Sequence, residues 1–311
     1  MRRLLLAACS LSALGFAVFM APGCGSENDD SEFGGASSGN VGDGGCVGFS
    51  CPEEGGPKPG CKDLECKQLP CEGSGKTTVS GTVFDPAGKV PLYNAIVYVP
   101  NAPLADIVDG ANECDRCATV LSGSPIATTT TDTSGNFTLE NVPIGDQVPL
   151  VIQLGKWRRQ ITIPTVAKCT NTALTAGEVR LPRNRGEGHI PRMALTTGGA
   201  DPLQCLLHKI GLDNSEFGVA GSNARIHLYA GGGYTGKPAS SKFGTSLNGG
   251  AAYGSAETFW SAAANLKKYD VVMLSCEGEE NEATAGAAKP DTAKQALYDY
   301  AKGGGRVFAS H

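Results

Sequence analysis

Residues 79–100 read VSGTVFDPAGKVPLYNAIVYVP, and residues 128–152 read TTTTDTSGNFTLENVPIGDQVPLVI. Side chains suited to one buried face recur at every second position: Val79, Gly81 and Val83, then Ala95, Val97 and Val99, then Phe137 and Leu139, then Val148, Leu150 and Ile152. That is the period of a strand with one apolar face. The same pattern continues at Leu154, Ile161 and Ile163. Between the runs lie Asp85-Pro86-Ala87-Gly88 and Asp132-Thr133-Ser134-Gly135-Asn136, which place Asx, Pro and Gly where tight turns need a preset or positive φ. About seven short strands, each apolar on one side, leave water by pairing two sheets face to face, so residues 77–166 are expected to form an all-β sandwich.

These stretches resemble the carboxypeptidase-regulatory-like, transthyretin-like domain in their G-x-V-x-D, P-L-x-N-A-x-V, T-D-x-x-G-x-F and V-P-x-G segments. The resemblance implies a seven-stranded Ig-like sandwich serving as an accessory or adhesion module. An insertion at residues 101–125 departs from the family's short loop and holds Cys114-Asp115-Arg116-Cys117. A redox CxxC sits at a helix N-terminus that stabilises thiolate, and no βαβ pattern surrounds this one, so a disulfide staple is expected.

After residues 167–188, rich in charge and proline and expected as a linker, the texture changes to α/β. DPLQCLLHKIGL spaces Leu203, Leu206, Leu207 and Ile210 as a helix does, with Asp201 expected as N-cap and Pro202 at the first helical position. ARIHLYAGGG reads as a strand, residues 256–266 as a helix, and YDVVMLSC as a buried parallel strand. DTAKQALYDYAKGGG reads as a helix with a glycine stop, and residues 306–310 as one more strand. Alternation of this kind argues for a parallel sheet with right-handed crossovers. YDVVMLSCEGEE (269–280) and YAKGGGRVFASH (300–311) resemble the class I glutamine-amidotransferase-like, flavodoxin-like fold, in its non-amidotransferase branch. The sequence stops directly after that strand, so residues 189–311 are expected to be a truncated flavodoxin-like domain, only marginally stable alone.

MRRLLLAACSLSALGFAVFMAPGC puts Arg2 and Arg3 before an apolar run and small residues ending at Cys24. It reads as an export signal over residues 1–23, and Ala21-Pro22-Gly23-Cys24 resembles a lipobox, which implies lipidation of Cys24. Plain secretion is the alternative. The whole chain resembles myxobacterial-type lipoproteins in which the two modules are joined, which implies a place in the cell envelope, at the outer membrane or cell surface.

Outside the cytoplasm cysteines persist as disulfides. Of the twelve cysteines, Cys9 leaves with the signal and Cys24 takes lipid, so ten remain for pairing. Residues 24–76 carry almost no aliphatic side chains and read as a disordered tether. A CxxxxC spacing within it relates Cys46 to Cys51, Cys61 to Cys66 and Cys66 to Cys71, as two or three small loops would need. With Cys114 and Cys117 these are the disulfide candidates. Zinc is disfavoured, because zinc sites use closer pairs.

The net charge is −5, with 26 Lys+Arg against 31 Asp+Glu, and the basic clusters at residues 156–159 and 180–185 are too short for a phosphate-neutralising stripe, so no nucleic-acid partner is expected. Membrane contact is expected through lipid at Cys24. In open α/β sheets, ligands bind beyond the carboxyl ends of the strands, here residues 197–201, 275–279 and His311. Cys276, Glu277 and His311 are the catalytic candidates, Cys276 as nucleophile and His311 as base or metal ligand with Glu277 and Glu279. Against them, Cys276 reads first as a disulfide partner or a small buried hydrophobe. His311 occupies the place where the glutaminase branch carries its cysteine nucleophile, so amidotransferase activity is not implied. His189, His208 and His227 share no spacing and receive no role. No cofactor and no metal site is read. The sequence therefore favours an envelope protein binding a carbohydrate or protein partner over an exported hydrolase.

Overall fold

A computed structural model describes residues 56–111, 121–198, 201–231, 253–276 and 290–310. The signal, Cys24, Cys46, Cys51, Cys114, Cys117, Glu277, Glu279 and His311 lie outside the described residues.

The alternating segments form strands β1 (Thr78–Thr82), β2 (Ile96–Pro100), β3 (Pro125–Thr130), β4 (Asn136–Glu140), β5 (Gly145–Leu154) and β6 (Trp157–Val166). Two more follow: β7 (Asn171–Ala173) and β8 (Gly188–His189). One sheet runs β4-β1-β7 and the other β3-β2-β5-β6-β8. Their facing sides meet in one core: Val79, Phe137 and Leu139 from the first sheet lie among Val97, Val99, Leu150, Ile152 and Ile163 from the second. The turn residues act as their chemistry demands. Asp85 Oδ1 accepts the N–H groups of Lys89 and Val90, and Asp132 Oδ1 those of Ser134 and Asn136. Gly135 has φ 76°, and a Cβ there would sit 2.7 Å from Pro91 Cβ.

Three expectations change here. The expected linker at 167–188 is part of the sandwich: β7 pairs parallel to β1, and Val179 and Leu181 are buried in the core. Its charge and proline hide a short strand and two apolar residues too few to show a period. The last part of the expected tether is also docked. Leu64 packs on the core, and the Gln68 side-chain amide donates to the carbonyls of Ile126 and Asn141. Cys61 bonds Cys66, but Cys71 closes no small loop; it bonds Cys169, 98 residues on, because residues 169–171 lie beside the start of β1. There the Cys169 N–H donates to Thr77 Oγ1, and the Thr78 N–H to the Thr170 carbonyl.

The second half is a parallel sheet in the order β10-β11-β9-β13-β14, comprising β9 (Met193–Thr196), β10 (Phe217–Gly218), β11 (Ile226–Ala230), β13 (Val271–Leu274) and β14 (Arg306–Ala309). The short β12 (Gly254–Ser255) pairs the far end of β11. Helix α1 (Leu203–Lys209) covers one face with Leu203 and Leu207 against Ile226, Leu228 and Leu195. Helices α2 (Ala256–Trp260), α3 (Ala263–Leu266) and α4 (Asp291–Lys302) cover the other with Phe259, Leu266, Ala296 and Tyr300. The single helix expected over 256–266 is thus two, separated at Ser261 and Ala262. Asp201 does not cap α1: Pro202 stands at the N-cap position without a side-chain cap bond. After α4 the chain turns back so tightly that a Cβ on Gly305 would meet the Tyr300 ring at 2.3 Å. Edge strand β14 is exposed, Phe308 by 47%.

Residues 51–311 form one compact unit, and the insertion joins its halves. Asp109 receives both terminal nitrogens of Arg225, with His189 at 3.4 Å and Arg192 at 3.8 Å. Ala111 packs in the core beneath α2 to α4. Asp270, 1% exposed at its side chain, accepts from the Gly110 N–H, the Arg192 N–H and the Lys156 ammonium. A buried carboxylate is tolerable only when its oxygens are satisfied in this way.

Candidate functional site

Because β9, first in the chain, lies between β11 and β13, the strand order reverses between β9 and β13, and in open α/β sheets ligands bind beyond the carboxyl ends of the strands at such a point. The sequence points to this place, and the structure sets Gly198, Ser275, Cys276 and Ser310 together there. Gly198 is required by contact: a Cβ would lie 1.9 Å from the Cys276 carbonyl oxygen. Asp201, released from capping α1, accepts the Cys276 N–H through Oδ1 at 2.6 Å, and the same N–H faces Ser310 Oγ at 2.9 Å. On the other side of β9, Thr197 Oγ1 accepts the Gly231 N–H at 2.7 Å.

Cys276 is a free, half-buried thiol, so its reading as a disulfide partner is corrected; Cys205, on α1, is free and exposed. Ser275 is 5% exposed, and its hydroxyl is buried without a hydrogen-bond partner. The Cys276 amide is already engaged by Asp201 and Ser310. An acyl-transfer site needs such a donor free to meet a developing oxyanion. Among the described residues no group of three His, Cys, Asp or Glu side chains is placed to hold a metal ion.

The histidines without a sequence role fall in three settings. His189 lies in the joint, its Nδ1 facing the Lys156 carbonyl, and His208 stacks on Phe217 at 4.0 Å between ring centres. His227 is 3% exposed and hydrogen-bonds Tyr269 through Nδ1 at 2.8 Å, while Tyr269 meets Tyr229 at 2.7 Å between phenol oxygens. Burial, and after it the charge of Arg192, holds the His227 imidazolium below its usual pKa, so the ring is neutral. Burial likewise raises the pKa of Tyr269 and Tyr229. The signal for this cluster was the polar alternation of His227 and Tyr229 against Ile226 and Leu228 along β11; Tyr269, beyond α3, carried no pattern of its own.

No protein-family model and no curated protein sequence matches the chain. Among solved structures it is similar to a chain of a type II cohesin–X-dockerin complex from Acetivibrio cellulolyticus, at 16% identity over 43% of this chain and 86% of that one, with a TM-score of 0.23. It is also similar to BcpA, the major pilin subunit of Bacillus cereus, at 14% identity over 37% of this chain, with a TM-score of 0.19. The match spans 31% of the pilin. Likenesses this distant do not bear on the fold, which rests on the strand pairing described above.

Proposed function

We propose that the chain is an exported cell-envelope protein, anchored by lipid at Cys24, whose folded part has a binding or structural role toward an envelope or extracellular carbohydrate or protein. The observation that carries this reading is the Cys71–Cys169 disulfide, which ties the end of the cysteine-rich segment to the chain just before β7, beside the start of β1. Such a bond persists in an oxidising compartment. The joint at Asp109 and Asp270 adds to it, because a module held by part-buried ion pairs presents its surfaces in one arrangement. The test is expression with the native leader in a Gram-negative host, followed by detergent partition and intact mass. The native chain is expected in the membrane fraction with an acyl mass addition, and Cys24→Ala in the soluble fraction without it. Equal partition of the two chains overturns the anchor.

A hydrolase reading is favoured by one observation, the free half-buried Cys276 thiol just after β13. Its engaged amide weighs on the other side.

A further inference from the structure

A cavity of about 690 Å³ opens on the face of the parallel sheet that carries α2 and α3, apart from Cys276 and the carboxyl ends of β9 and β13. Ligand pockets typically span roughly 300–1,000 Å³. Its inner wall holds His227, Tyr229 and Tyr269, and its rim Arg192, Asn265 and Lys268.

The wall's protons can be assigned. The Ser222 carbonyl, 3.3 Å from His227 Nε2, only accepts, so Nε2 carries the proton of the neutral ring. Nδ1 therefore accepts the Tyr269 O–H, and Tyr269 in turn accepts the Tyr229 O–H. Every proton of the chain is spent inward, and what the phenols have left is lone pairs. Asn265 gives one N–H of its amide to the Thr258 carbonyl, which leaves the amide oxygen as a further acceptor and the second N–H as a donor.

The rim has the opposite character. Arg192 and Lys268 are cationic, and the described lining residues include no Asp or Glu, in a chain of net charge −5. Arg192 Nε is buried without a hydrogen bond; the carboxylate at 3.8 Å, Asp109, has both oxygens engaged by Arg225. The cavity thus carries positive charge at its rim and offers phenol lone pairs at its inner wall. We propose that it binds a small hydroxylated anion, a sugar acid or sugar phosphate, with the charged group on Arg192 and Lys268 and the hydroxyls donating to the tyrosines and Asn265. This goes beyond the envelope role and does not depend on lipid anchoring.

The test is calorimetric titration of the whole chain with glucuronate, glucose 6-phosphate, glucose and inorganic phosphate. At least one of the two sugar anions is expected to bind, and which one does identifies the charged group. Glucose and inorganic phosphate are expected at least tenfold weaker. Lys268 is exposed, so Lys268→Gln leaves the fold intact and is expected to weaken the sugar anion about tenfold, the loss of one charge-assisted hydrogen bond. Tyr269→Phe, which removes an acceptor and no charge, is expected to weaken it severalfold and to weaken inorganic phosphate not at all. Absence of binding by both sugar anions overturns the proposal. So does glucose or inorganic phosphate binding as tightly as the sugar anions, or an unchanged affinity in Lys268→Gln.

Discussion

Single side chains decide where this fold is vulnerable. Glu187 takes both terminal nitrogens of Arg180 at 2.7 and 2.8 Å, and these bonds hold its carboxyl down from 4.5 to about 2. A carboxylate with a depressed folded pKa stabilises fully above its unfolded value and stops doing so as pH falls through the folded one. The Glu187 contribution is therefore present above about pH 4.5 and lost on the way to about 2, and Glu187→Gln should remove that part of the acid dependence of the denaturant midpoint. His227 acts at milder pH. Its folded pKa lies below the ordinary 6.5, so the unfolded chain binds the proton first and stability declines as pH drops below that value. His227→Gln should flatten the decline between neutrality and the acid limb. Where β9 and β13 end, Gly198→Ala forces a methyl into the Cys276 carbonyl and should cost at least about 1–3 kcal/mol, read as a lowered chemical-denaturation midpoint.

Among elements, those with a strong period and polar punctuation were legible. β4 follows the alternation residue by residue, with a turn fixed by Asp132 at its border, whereas β2 and β5 bury the expected Val97, Val99, Leu150 and Ile152 and bury Tyr98 and Val151 between them as well. β13 was legible as a continuous apolar run, buried through its middle. β7 was not, since three residues are too few for a period and its partner β1 lies more than eighty positions away. The split between α2 and α3 escaped for a related reason: Ser261 and Ala262 carry no breaker chemistry, and packing against β11 and α4 sets the break. For the candidate site, position was legible from strand order, and the partners of Asp201 were not, because a carboxylate before a helix serves a cap or a neighbouring strand equally well. The Cys71–Cys169 bond was likewise hidden, its two cysteines separated by the whole sandwich. Cys169→Ser should lower stability by about 2–5 kcal/mol, as expected for removing a native disulfide, and add one alkylatable thiol at Cys71.

At the scale of the molecule, the insertion turns two modules into one folding unit. Burial raises the Asp109 pKa, but the Arg225 hydrogen bond and the charges of Arg225, Arg192 and His189 lower it by more, so the carboxylate stays ionised in the joint. Asp109→Ala leaves Arg225, 13% exposed, without that partner and should cost about 3 kcal/mol. Calorimetry should then resolve two thermal transitions where the native chain gives one. The same joint explains why residues 189–311 should not melt cooperatively in isolation: Asp270 would lose Gly110 and Lys156, and the core under α2 to α4 would lose Ala111. Above all, the account requires maturation in an oxidising compartment, and peptide mapping of the exported protein after alkylation without reductant tests this most directly. It should yield linked peptides for Cys61–Cys66 and Cys71–Cys169, with Cys205 and Cys276 alkylated. Recovery of Cys71 and Cys169 as alkylated thiols in the folded protein would contradict it.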